Sequence, residues 1–162
     1  YALLFHGTLR NDYIFLKSIY EGKEINNFIV SSASSKERQI EMISMGNSFR
    51  NILKNSWDLN LEENTTFIYC LAKAARYFNI EFKDLTKFYL QSFISNLINV
   101  CVKHVPLSQI DGQRLNFNFI DHIQNFLLKS NNLDLNDLGT TFFVGDIFSI
   151  KHEKLETRIY LT

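Results

Sequence analysis

Residues 81–105, EFKDLTKFYLQSFISNLINVCVKHV, contain neither glycine nor proline and run into Pro106, the only proline in the chain. Leu85, Phe88, Tyr89, Phe93, Leu97, Ile98, Cys101, Val102 and Val105 recur at helical spacing and predict one broad apolar face. A second stripe, Ser92, Ser95, Asn96, Asn99 and Lys103, is small and polar. A helix over this span is about 36 Å long, the width of a small domain, so the rest of the chain must pack along it. Proline cannot donate the helical hydrogen bond and biases the residue before it toward extended backbone, so the helix is predicted to end at about Val105. Ser108, with Asp111 three residues on, is placed to cap the next helix. Ile110, Leu115, Phe119, Ile123, Phe126 and Leu127 give that helix a predicted buried face as far as about Lys129. Two long helices meeting at a proline corner are therefore the first constraint on the fold.

The other segments read as helices too. Ser34 to Glu37, SSKE, has capping-box spacing. Ile40, Ile43, Phe49, Ile52 and Leu53 then follow close to helical spacing to about Lys54. A further helix is predicted to begin near Asn64 or Thr65, with Phe67, Leu71, Ala74, Ala75 and Phe78 on one face. Its alanine pair would let a neighbouring helix come close. After Lys129 the stretch SNNLDLNDLGTTFFVGDIFSI is loop-like, and residues 150–162 form an amphipathic tail. The expected fold is an all-α, single-domain helical bundle over residues 1–162. The chain opens at Tyr1 inside the apolar pattern YALLFHG, so the expectation is a domain lacking its N-terminal segment.

Several function classes find no support. The 17 basic and 17 acidic side chains cancel and no Lys/Arg block stands out, so neither nucleic acid nor an anionic membrane is expected as a partner. No apolar run approaches the roughly 18 residues of a membrane span. Cys70 and Cys101 sit in apolar helical contexts without CxxC spacing, which predicts buried thiols in a reducing, cytoplasmic setting. His6, His104, His122 and His152 lack the spacing of a local metal site. No P-loop or GxSxG element is present, and Glu62 and Glu63 read as a solvated turn rather than an acid–base pair. Catalysis is poorly supported; a helical binding module fits better.

Three elements taken together resemble the urease accessory protein UreF family. They are the corner, with Lys103, then Val105-Pro106-Leu107-Ser108-Gln109 and Gly112-Gln113; the upstream Met45-Gly46; and the terminal His152-Glu153, Leu155, Arg158-Ile159-Tyr160 and Thr162. Order and approximate spacing match across nearly the whole chain. The Pro-Leu-Ser-Gln to Gly-Gln element is the most specific of the three. The family's N-terminal Ser-His-Ser-x-Gly signature is absent, Ser48 stands where Arg is usual, and Glu37-Arg38 looks like the family's Glu-x-Arg shifted by one position.

The resemblance implies a non-catalytic, all-α protein that assists nickel insertion into apo-urease. It implies binding to the accessory protein UreD/UreH, recruitment of the GTPase UreG, a homodimer, and no stably bound cofactor, with nickel in transit. Lys103, Pro106, Ser108, Gln109, Gly112, Gln113, His152, Arg158 and Tyr160 become the expected partner-binding or conduit residues. Gln109 and Gln113 are neighbours on one helix face and, with Ser95, Asn99, Lys103 and Ser108, could form a polar strip across the corner. The same polar groups could equally satisfy each other and the free helix ends. Arg158 could anchor a partner surface or pair with Glu153 or Glu156. The rival readings are a generic helical adaptor and a regulator that activates the partner GTPase through Arg114 or Lys103.

Overall fold

Asp12, Tyr13, Ile14, Phe15 and Leu16 are buried in succession, which a helix achieves only where neighbours cover it on every side. That helix is the centre of the fold. The computed structural model describes residues 1–139 together with Ile147 and Lys151. The elements are α1 (Ala2–His6), α2 (Thr8–Tyr20), α3 (Asn26–Ser31), α4 (Lys36–Trp57), α5 (Phe67–Tyr77), α6 (Phe82–His104) and α7 (Gln109–Lys129), followed by a 3-10 turn at Leu135–Asp137. Among the described residues the regular structure is entirely helical, as expected for an all-α fold.

Two apolar clusters meet along α2. One joins Leu4, Leu9, Tyr13 and Ile14 to Leu90, Ile94 and Ile98 of α6 and to Ile123 and Phe126 of α7. The other joins Phe15, Leu16 and Ile19 to Ile29 of α3, to Ile68, Tyr69, Ala72 and Ala75 of α5, and to Leu85 of α6. A smaller group, Leu53, Cys70 and Ala74, holds α4 against α5. The polar residues of α2 serve a different purpose. Lys17 Nζ donates to the carbonyls of Asn131 at 2.6 Å and Leu133 at 3.0 Å. Arg10 donates to the Asp137 carbonyl, and Asn11 Oδ1 accepts from the Gly139 amide at 3.2 Å. The segment after α7 is thus strapped along α2.

Local signals account for several helix ends. Val105 is extended, and Ser108 Oγ accepts from the Asp111 amide at 3.1 Å to start α7. Thr66 caps α5, so that helix begins slightly later than Asn64 or Thr65. The cap of α4 is Ser35, accepting from the Arg38 amide at 3.2 Å, rather than Ser34. α4 ends at Asp58 in the left-handed region, φ 55°, where the Leu59 amide reaches back to the Leu53 carbonyl.

The predicted buried faces are only partly correct. Leu53, Ala74, Ala75, Leu85, Ile98, Ile123 and Phe126 are buried, but Ile40, Ile52, Phe78, Phe88, Leu97, Val105, Ile110 and Leu115 are exposed. The reason is geometric for α6: its first half packs against α2 and α5 and its second half against α7. The covered side therefore rotates along the helix, and Leu90 and Ile94 take over from Phe88 and Leu97. Cys70 is buried as expected, whereas Cys101 is exposed. The tail at 150–162, with His152, Arg158 and Tyr160, lies outside the described residues apart from Lys151.

Candidate functional site

The corner between α6 and α7 is built by four residues with distinct tasks. Pro106 stops α6, and the Leu107 amide donates to the Val105 carbonyl at 2.6 Å across the bend. Ser108 then accepts from the Asp111 amide and donates its hydroxyl to Asp111 Oδ2 at 2.6 Å. Asp111 in the first turn also complements the positive end of the helix dipole. Gly112 is the fourth: a β-carbon there would lie 2.7 Å from Val102 Cγ2, so its missing side chain lets α7 fold back tightly on α6.

The polar strip forms in part. Ser95 Oγ donates to Asn116 Oδ1 of α7 at 3.0 Å and accepts from Gln91 Nε2 at 3.4 Å. Those bonds clasp the two helices and turn Ser95 away from the outer surface. Asn99, Lys103, Gln109 and Gln113 are exposed instead, and no side-chain hydrogen bond ties them to another described residue. The structure brings Ser108, Gln109 and Gln113 to the start of α7 but does not link them to Ser95 in one continuous strip.

Phe117 and Asn118, which sequence reasoning missed, and Ile110, which it read as core, lie with the expected Gln109 and Gln113 on the outer side of α7. Gln109, Ile110, Gln113, Arg114, Phe117 and Asn118 border one shallow depression. Ile110 is 66% and Phe117 74% exposed, and Leu128, further along, is 77% exposed. Ile110 and Phe117 are seven residues apart, hence on one face of the helix. That face points away from Gly112, Ile123 and Phe126, which occupy the buried side. The available signal was the presence of two apolar stripes on one helix, of which a bundle this small could bury only one. Arg114, with its guanidinium 3.5 Å from Asp111 Oδ1, borders the depression as a largely exposed cation. On α6 Phe88, Leu97, Val100 and Cys101 are uncovered, and so is Val105 just after the helix.

Elsewhere the chemistry is quiet. Cys70 Sγ lies 3.1 Å from Thr65 Oγ1, and burial pushes its thiol upward, making it a structural rather than a reactive cysteine. Glu62 and Glu63 lie in the loop before α5, with Glu63 Oε1 3.5 Å from Arg50. Among the described residues no three His, Cys, Asp or Glu side chains are grouped to hold a metal ion, and no helix is long and apolar enough to cross a membrane.

Fold and surface define an all-α helical domain, with a proline corner and an exposed apolar stripe beside it. The UreF family model matches residues 1–119, from α1 through the first half of α7. The chain is 29% identical over 166 residues to the urease accessory protein UreF of Ruegeria pomeroyi, an alignment that takes in 99% of this chain and 76% of that protein. With the UreF protein of Granulibacter bethesdensis the identity is 27%, over 78% of this chain and 57% of the relative. With that of Bradyrhizobium diazoefficiens it is 25%, over 85% and 60%. The chain spans less than two thirds of the length of these last two relatives. It belongs to the UreF family.

Proposed function

We propose that the chain acts in urease maturation as a non-catalytic scaffold that binds UreD/UreH and, with it, recruits the nickel-carrying GTPase UreG to apo-urease. The observation that carries this reading is the outer face of α7. There the family element Gln109 to Gln113 flanks Ile110, and Phe117 continues the same face, each of the two more than half exposed. Contiguous exposed apolar side chains rimmed by polar ones mark protein contact surfaces. Large aromatic side chains beside a cation supply much of the energy of such contacts. Gln109 and Gln113 add donors and acceptors at the rim, where they fix orientation rather than affinity. Nickel passes through the assembly as cargo. In the same reading the scaffold works as a homodimer in the cytoplasm, where an exposed thiol such as Cys101 stays reduced.

Co-expression with UreD/UreH, followed by size-exclusion chromatography with light scattering, tests the proposal. The wild-type chain is expected to co-elute in a complex of defined mass. The Ile110→Asp/Phe117→Asp double variant is expected to elute alone while keeping its helical circular dichroism. Co-elution of the double variant at wild-type yield would remove α7 from the interface. Gln113→Leu is expected to weaken urease activation without unfolding the chain. A second reading, stimulation of the partner GTPase, is favoured by the exposure of Arg114. It requires that Arg114→Ala slow GTP hydrolysis in the assembled complex while leaving assembly intact.

A further inference from the structure

A second concavity lies away from the α7 depression, where the first turns of α6 meet the end of α7 beside the middle of α2. It is a cleft of about 490 Å³ with Tyr13, Phe82, Leu127 and Leu128 as apolar walls and Lys83 and Lys87 set among them. That volume is in the range of small-molecule sites, which fix a ligand by a few polar groups placed in apolar walls. Tyr13 is the residue the fold leaves unexplained. It is only 3% exposed, and its ring packs against those of Phe82 and Phe126, each at 5.5 Å. The Tyr89 hydroxyl is spent on Asp12, but the Tyr13 hydroxyl forms no hydrogen bond with another described residue. Nor is it sealed off from solvent, and the cleft is the opening it borders. Buried polar groups in native proteins find partners, so an idle donor in the wall of a cleft points to a ligand.

The polar lining is one-sided. Lys83 and Lys87 are exposed, lie one turn apart on the same side of α6, and form no ion pair among the described residues. Gln124 and Asn131 bring amide groups to the cleft, and no carboxylate borders it. Thr86 has turned its hydroxyl back to the carbonyls of Phe82 at 2.8 Å and Lys83 at 3.2 Å, so it offers no donor. Burial, with the Glu21 charge, raises the Tyr13 hydroxyl above its ordinary value, and the group remains a donor at neutral pH. The site therefore presents positive charge and donors to a ligand whose body is apolar. We propose that this cleft binds a monocarboxylate with an apolar chain, its oxygens meeting Tyr13, Lys83 and Lys87 and its chain lying between Phe82 and Leu127. The long, flexible lysine stems let the ammonium groups follow a carboxylate inward. A neutral hydrocarbon would leave the donors unanswered, and a cation would meet two like charges. Such a ligand touches α2, α6 and α7 at once, and the site is separate from the partner surface on α7.

The test sets head groups of different charge on the same straight alkyl chain: octanoate, octan-1-ol and octylammonium. Each is titrated into the nitrogen-15-labelled whole chain, with amide shifts locating the site and calorimetry giving the affinity. Octanoate is expected to saturate with a Kd at or below about 1 mM. It should move the amides of Tyr13, Phe82, Lys83 and Leu127 and leave those of Ile110 and Phe117 in place. Octan-1-ol is expected to bind about tenfold more weakly, and octylammonium not to saturate. Tyr13→Phe removes only the hydroxyl, and Lys83→Met/Lys87→Met keeps the apolar stems at exposed positions. Each variant is expected to weaken octanoate about tenfold while keeping the wild-type circular dichroism. Should Tyr13→Phe fail to fold, the lysine pair decides. Equal binding of the three ligands, shifts confined to Ile110 and Phe117, no saturable binding of octanoate, or full-strength binding by either folded variant would each overturn the assignment.

Discussion

A β-carbon on Gly46 would stand 1.8 Å from the carbonyl oxygen of Thr65 and 2.7 Å from the carbonyl carbon of Thr66. The obstacle is backbone that caps and starts α5, so no rotamer change relieves it. Gly46→Ala must push α4 away from α5 and open the group formed by Leu53, Cys70 and Ala74. A loss of about 3 kcal/mol or more is expected, at the upper end for overpacked sites. Urea unfolding followed by circular dichroism measures it, and a loss below about 1 kcal/mol would mean that the two helices can slide apart freely.

Gly112 makes a contrasting case, because the atom it would meet belongs to the Val102 side chain at 2.7 Å. A methyl group there displaces a branched side chain rather than a backbone, and alanine also favours the helix. Gly112→Ala is expected to cost about 1 kcal/mol in the same assay, clearly less than Gly46→Ala. A cost equal to that of Gly46→Ala would show that the α6–α7 contact is as rigid as the α4–α5 one.

Core and surface stripes should separate sharply. Leu16 is completely buried, and Leu16→Ala is expected to destabilise the chain by about 2–5 kcal/mol. Ile110→Ala, on an exposed apolar residue of similar size, should change stability by no more than about 0.5 kcal/mol. Paired unfolding curves on the isolated chain check the contrast, and a large effect at Ile110 would place that face inside the fold rather than at a contact surface.

The pH dependence of global stability has a definite sign. The Asp12 carboxyl is raised from 3.8 to about 6, so between those values the folded state carries a proton that the unfolded state lacks. Acidification through that window therefore favours folding, and the ionised carboxylate costs on the order of 3 kcal/mol at neutral pH. Asp12→Asn is expected to raise stability at pH 7.5 by about 1–3 kcal/mol and to remove this contribution to the pH slope. A variant less stable than wild type at pH 7.5 would mean that the ionic form holds the core together.

The two cysteines should report accessibility directly. Cys101 is exposed and is expected to react with a maleimide in the folded chain within minutes. Cys70 is fully buried with a raised thiol, so it should react only on unfolding. Mass spectrometry of the native protein is expected to show a single adduct; a rapid second one would point to opening between α4 and α5.

The corner was the most legible part of the sequence because its signals are local: Pro106 forbids the next helical hydrogen bond, and the Ser108 hydroxyl finds its amide three residues on. The family elements Met45-Gly46 and Gly112-Gln113 were equally plain as words, but the tight helix contacts that call for their glycines became apparent only from the packing. α2 was not singled out in the sequence, because its central place depends on partners far along the chain. Neighbours cover it so fully that Asp12 to Leu16 are buried in succession, and its polar residues Arg10, Asn11, Asp12 and Lys17 find partners distant in sequence. The stripe on α4 misled because Ile40 and Ile52 are periodic yet exposed, and periodicity alone does not say which of two faces is covered. Ile110 was read as core for the same reason, although the outer face of α7 is where a partner would meet it.

The strap across α2 also bears on how the chain is made. Lys17, Arg10 and Asn11 find their partners 114 to 128 residues downstream. The apolar sides of α2 likewise wait for α5, α6 and α7. Contacts of such long sequence separation slow folding, since the chain must close large loops before they count. At about 5–20 residues per second, α2 spends several seconds or more outside the ribosome without its native cover. Until α5, α6 and α7 follow, Leu9, Ile14, Leu16 and Ile19 stand uncovered, so the nascent chain is sticky before most of its fold exists.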